Sequence, residues 1–84
     1  MSYTLVIVKT AQKEISSLPK LYYPTVRTAI MNLENTPRPS GCKKLKGFSN
    51  TYRIRVGIYR VVYIVEDVIK IITVTRVAHR KEVY

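Results

Sequence analysis

The spacing of apolar residues changes along the chain, and each change marks a different kind of element. Residues 3–8 are rich in Tyr, Thr, Val and Ile, which predicts a first strand bounded by Lys9 and Thr10. Ala11, Ile15 and Leu18 then fall at helical spacing, with Thr10 as the candidate cap and Pro19 as the stop. A second helical stripe follows in Val26, Ile30 and Leu33, leaving Arg27 and Glu34 for solvent. An interior proline removes a hydrogen bond and clashes with the preceding turn, so this helix either starts near Pro24 or is kinked there.

Residues 36–47 carry Pro37, Pro39 and Gly41 followed by Lys43, Lys44 and Lys46, and read as a basic connector with no regular element. Beyond it the period falls to two. Tyr52, Ile54 and Val56 alternate with Arg53 and Arg55, which predicts a half-exposed strand over residues 51–56. Gly57 and Ile58 break the chain, and residues 59–65 and 68–77 read as two further strands separated by Glu66 and Asp67. Both carry mostly apolar residues on both faces, which places them centrally in a sheet. The order strand, helix, helix, strand, strand, strand predicts an α+β fold. Its small, twisted, mainly antiparallel sheet of about four strands carries the N-terminal helical hairpin on one face and leaves the other face for chemistry.

Length fits this picture, since 84 residues allow one compact domain over residues 1–84 with a thin core. Hydrophobic residues make up 46% of the chain, and Val and Ile supply 20 of them, a composition that folds and favours strands. Fifteen Lys and Arg against five Asp and Glu give a net charge of +10, which calls for an anionic partner. One cysteine, Cys42, and one histidine cannot supply a zinc site, so no metal or cofactor is expected. Apolar runs such as residues 5–8 fall far short of the roughly 20 residues that span a bilayer. Without a membrane span or a secretion signal, the chain reads as cytoplasmic.

The charge is uneven. Residues 42–84 hold ten cations against three acids, +7, whereas residues 1–41 carry +3. Arg53 and Arg55 project from one side of a strand and Arg60 lies just across the next turn, so three guanidinium groups can converge on one patch. Guanidinium matches phosphate geometry bidentately. Tyrosines interleave with these cations. Tyr52 and Tyr59 share the apolar side of their strands and belong to the core, whereas Tyr84 sits on a polar tail beside Arg80, where a ring can stack on an unpaired base.

Four blocks in order, Lys44-Leu45-Lys46-Gly47, Tyr52-Arg53-Ile54-Arg55-Val56, Tyr59-Arg60-Val61-Val62-Tyr63 and His79-Arg80-Lys81-Glu82-Val83-Tyr84, resemble the RelE branch of the RelE/ParE toxin superfamily. The early strand and helical hairpin are similar as well. The resemblance implies the toxin of a type II toxin-antitoxin pair that enters the A site of the 70S ribosome and cuts the bound mRNA without a metal, by attack of the 2′-hydroxyl on the adjacent phosphorus. It further implies an acidic RelB-like antitoxin as partner, with operator DNA reached only through the antitoxin complex. Holding the RNA in line and placing positive charge where the transition state gains negative charge is enough for such chemistry.

Carried over by the resemblance, Arg60 binds the scissile phosphate, Arg80 neutralises charge or protonates the leaving 5′-oxygen, and Tyr84 stacks on a base. Lys43, Lys44, Lys46, Arg76 and Lys81 meet RNA phosphates. Several family members have lysines where this chain has Arg53 and Arg55, and a lysine can act as general base; arginine is a poor base and a good clamp. His79 is the remaining candidate acceptor, imidazole being the side chain suited to proton transfer near neutral pH. Two other readings stay open on the same fold: a ParE-like toxin that inhibits gyrase by binding, and a catalytically silent module that binds RNA or an antitoxin.

Overall fold

The computed structural model describes residues 2–81 and has the order β1 (Thr4–Ile7), α1 (Lys9–Ser16), α2 (Tyr23–Asn32), β2 (Lys43–Lys44), β3 (Thr51–Val56), β4 (Tyr59–Glu66), β5 (Ile71–His79). The strands form one five-stranded sheet in the order β1-β5-β4-β3-β2. β1 runs parallel to β5 and every other pairing is antiparallel. The apolar strands β4 and β5 lie inside the sheet, as their two-sided hydrophobicity requires.

Both helices lie on one face. Ala11 of α1, and Val26 and Ile30 of α2 with Leu33 at its end, pack on Ile54, Val56, Val61, Tyr63, Val65, Ile72, Val74 and Val77. Burying each of the larger side chains is worth about 1.5–3 kcal/mol, so this single layer carries most of the stability available to so short a chain.

Several boundaries differ from the sequence reading, and at Pro24 one of its two open alternatives holds. Helix α1 starts at Lys9 with Val8 as its cap residue and no side-chain cap, so Thr10 lies inside the helix. The chain passes from strand to helix without a turn: Val8 still donates its N–H to the Val74 carbonyl, while the Gln12 side chain donates to the Ile7 carbonyl. Pro24 sits in the first turn of α2, where its missing N–H costs nothing, so the helix starts there and is not kinked.

The connector does contain a strand, because Lys43 and Lys44 pair with Arg53 and Tyr52 and raise the count from about four strands to five. A two-residue lysine strand has no apolar alternation to detect. The last strand starts at Ile71, three residues later than expected, and runs on to His79. Lys70 adopts φ 58°, a left-handed turn conformation, and leaves Val68 and Ile69 exposed on the turn although both are good strand formers. At the far end, pairing with β4 carries β5 two residues past Val77.

Candidate functional site

The alternation of β3 decides what the uncovered sheet face presents. Tyr52, Ile54 and Val56 point to the helices, so Arg53 and Arg55 emerge on the other side. Gly57, at φ 62°, opens the two-residue turn that leads into β4 and brings Arg55 directly opposite Arg60. Arg53 faces Lys43 on one side and Val62 on the other, and Arg60 faces Ala78. Arg80 follows Ala78 by two residues. Its amide donates to the Ile58 carbonyl at 2.9 Å, so the ladder continues and Arg80 comes up on the Arg60 side. One side of β2, β3, β4 and β5 thus gathers Lys43, Arg53, Arg55, Arg60 and Arg80.

The environments of these cations differ. Arg55 is exposed and Arg60 half-buried, while Arg53 retains only 7% of its accessible surface. The strand is therefore less open than its alternation implied. Like charges directly opposite one another destabilise a sheet. Among the described residues the acids that make ion pairs do so elsewhere: Asp67 binds Arg38, and Glu14 binds Arg76. Among the described residues the face gathers hydrogen-bond donors. It can bind phosphate and stabilise charge developing on it.

His79 does not join this array. Paired with Tyr59, it lies on the helix side, its ring 6.1 Å from that of Tyr59, which meets Tyr22 edge-on at 5.3 Å. Its Nδ1 accepts the Lys81 amide at 3.2 Å. The same alternation that gathers the arginines removes the histidine. Arg76, opposite Val62, has the parity of the array, but its Nε donates to Glu14 on α1 at 2.9 Å. Lys44 pairs with Tyr52 on the other parity from Lys43, and Lys46 and Lys81 are exposed on turns. Tyr84 lies outside the described residues.

Three features were not legible beforehand. A cleft of about 840 Å³ runs between α2 and the edge of β3, with Thr25, Thr28 and Asn32 on one wall and Lys43, Arg53 and Arg55 on the other. β2 covers only the first half of β3, so the edge beyond Arg53 is open. Second, Glu14 accepts the Val77 amide at 2.7 Å as well as Arg76, where β5 has no further strand on that side. Third, Arg38 of the connector forms a fork with Asp67 at 2.7 and 3.2 Å and lies over the Tyr52 ring, while Tyr3 donates to the same carboxylate at 2.6 Å. Each joins residues far apart in sequence.

Comparison with known proteins adds a consistent set of relatives. The family model for the ParE toxin of type II toxin-antitoxin systems matches residues 5–84. A putative toxin RelE1 of Methanocaldococcus jannaschii is 30% identical, over 100% of this chain and 97% of its own length. The archaeal RelE-RelB complex from Pyrococcus horikoshii contains a chain that superposes with a TM-score of 0.84 at 33% identity, covering 98% of this chain and 99% of that one. The intact E. coli RelBE toxin-antitoxin complex matches with a TM-score of 0.80 at 26% identity, over 93% and 96% of the two chains.

Proposed function

We propose, from the premise that this chain belongs to the RelE/ParE superfamily of type II toxin-antitoxin toxins, that it is a ribosome-dependent mRNA endoribonuclease. The observation that carries the reading is the register of Arg55 against Arg60, with Arg80 two residues beyond Arg60's other partner. In this reading a strand of mRNA in the ribosomal A site crosses the sheet with one phosphodiester against Arg60. The 2′-oxygen attacks phosphorus and the bond from phosphorus to the 5′-oxygen breaks, giving a 2′,3′-cyclic phosphate and a 5′-hydroxyl. Arg60 holds the non-bridging oxygens and Arg80 stands at the departing oxygen, while Arg53 and Arg55 clamp the strand. Guanidinium groups only donate, so the proton of the 2′-hydroxyl leaves to solvent, the departing 5′-oxygen takes one up from solvent, and the protein contributes alignment and positive charge.

That relatives were crystallised as RelE-RelB complexes supports an antitoxin as partner, and in this reading it is acidic and covers the same basic face. Operator DNA is reached through that complex. Because the matching family model is that of ParE, binding to gyrase is the second reading. Primer extension on mRNA from a cell-free translation reaction separates the two. New 5′ ends within codons at the A site are expected; intact mRNA together with trapped or cleaved DNA in a gyrase assay would replace the first reading with the second.

A further inference from the structure

Between Glu34 and Glu66 the sequence holds seven cations, Arg38, Lys43, Lys44, Lys46, Arg53, Arg55 and Arg60, and no acid. The loop joining β2 to β3 lies in the middle of this stretch, and at its tip Phe48 keeps 63% of its surface exposed. The loop is pinned. Leu45 donates its N–H to the Thr51 carbonyl at 2.9 Å, the Thr51 hydroxyl donates to the Ser49 carbonyl at 2.9 Å, and the Val65 amide donates to the Asn50 carbonyl at 2.9 Å. Gly47 at φ 83° and Asn50 at φ 53° supply the left-handed residues that so tight a path needs. An aromatic ring is therefore held out into solvent on a fixed support, and ordering it on binding costs little entropy.

Its neighbours indicate what it meets. Gly47, Ser49 and Asn50 are exposed and polar or small, and Leu45 is half-buried, so the loop itself supplies Phe48 with no second exposed apolar side chain. Lys44 and Lys46 are exposed beside it. A lone ring between cationic side chains suits an unpaired base with phosphates on either side. Lys43 lies directly across the ladder from Arg53, so the loop that follows β2 stands next to the strand that carries the arginines.

We infer that the tip of the loop between β2 and β3 is a second single-stranded RNA contact, in which Phe48 stacks on an unpaired base while Lys44 and Lys46 hold the flanking phosphates. This rests on the RNA reading of the arginine face and extends it to a separate element. It requires no cleavage.

The chain has no tryptophan, so Phe48→Trp creates a single tryptophan at the site, which can be excited selectively over the seven tyrosines. Titration with a short single-stranded RNA in low salt, followed in parallel by the anisotropy of labelled RNA, is expected to quench that fluorescence as binding saturates. Polyglutamate of similar length is expected to leave the emission unchanged. Phe48→Ala and Phe48→Leu should each weaken RNA binding by about 5- to 100-fold with an unaltered salt slope, because stacking and not apolar area is lost. Lys44→Gln/Lys46→Gln should reduce the slope of log K against log salt by about 1–2. Unchanged emission at RNA saturation, no measurable RNA binding, equal quenching by polyglutamate, or full affinity in Phe48→Leu would each overturn the inference. Failure of the nuclease reading looks different: mRNA stays intact in translation reactions while the tryptophan is still quenched by RNA.

Discussion

At the scale of single residues, the site depends on parity. Arg53, Arg55, Arg60 and Arg80 share a side because each is an even number of positions from its neighbour along the strand or is paired across the ladder. The β3 part of this was readable from Tyr-Arg-Ile-Arg-Val alone, and the cross-strand part followed from the short turn at Gly57. The exclusion of His79 was not readable, because its side is set by pairing with Tyr59, which lies twenty residues away. Arg60→Ala and Arg80→Ala should each lower mRNA cleavage by about 10²–10³-fold, the usual cost of deleting one group that stabilises developing charge. Circular dichroism and melting temperature should stay near those of the parent. Full growth inhibition by either variant at equal expression would place the reaction elsewhere. His79→Ala, by contrast, should leave cleavage within a few-fold of the parent, since the ring lies across the sheet from the arginines.

At the scale of elements, two supports hold the site strands in place. β1 pairs with β5 only as far as Val74, and Glu14 takes over beyond it. The helical stripe of Ala11, Ile15 and Leu18 announced α1 but gave no hint that Glu14 reaches a residue 63 positions away. Glu14→Ala strips the Val77 amide of its acceptor and should cost about 1–3 kcal/mol in denaturant unfolding. Glu14→Gln keeps an oxygen for that amide and should recover part of it. Hydrogen exchange at Val77 should accelerate in the alanine variant more than at Val61 or Val65.

The second support is the clasp of Arg38, Asp67 and Tyr3, which ties the connector to the turn before β5. Hydrogen bonds from Arg38 and then Tyr3 favour the ionised carboxylate and depress Asp67 from its ordinary 3.8 to about 2. A depressed carboxylate stabilises the fold above its unfolded value. The clasp is therefore intact at every pH above about 4 and loosens as the pH falls through about 2. A carboxyl-carbon NMR titration should find that midpoint, and Arg38→Ala should move it back towards 3.8. A midpoint already near 4 in the parent would show that the fork does not persist in solution.

At the scale of the whole molecule, charge and size act together. The α+β class and the two-sided burial of β4 and β5 were legible because hydrophobic periodicity reports which face is covered. The strand Lys43–Lys44 and the cleft beside α2 were not, since a short polar edge pairing and a gap between elements leave no mark on the apolar pattern. A net charge of +10 sits on a body with principal extents of 35 × 27 × 25 Å. In about 10 mM salt the screening length is about 30 Å, so every cation feels nearly every other; at about 0.15 M it shrinks to about 8 Å and mostly neighbours interact. Salt should accordingly act in opposite directions on folding and on association. The melting temperature of the free chain should rise between these two conditions as self-repulsion is screened, whereas affinity for an acidic antitoxin segment should fall. The same segment should displace single-stranded RNA, because both need the face that bears Arg53, Arg55 and Arg60. Calorimetric titration at the two salt concentrations, repeated with RNA already bound, measures both effects. If antitoxin and RNA bound together without mutual weakening, the basic face could serve only one of them, and the antitoxin would have to silence the toxin from another surface.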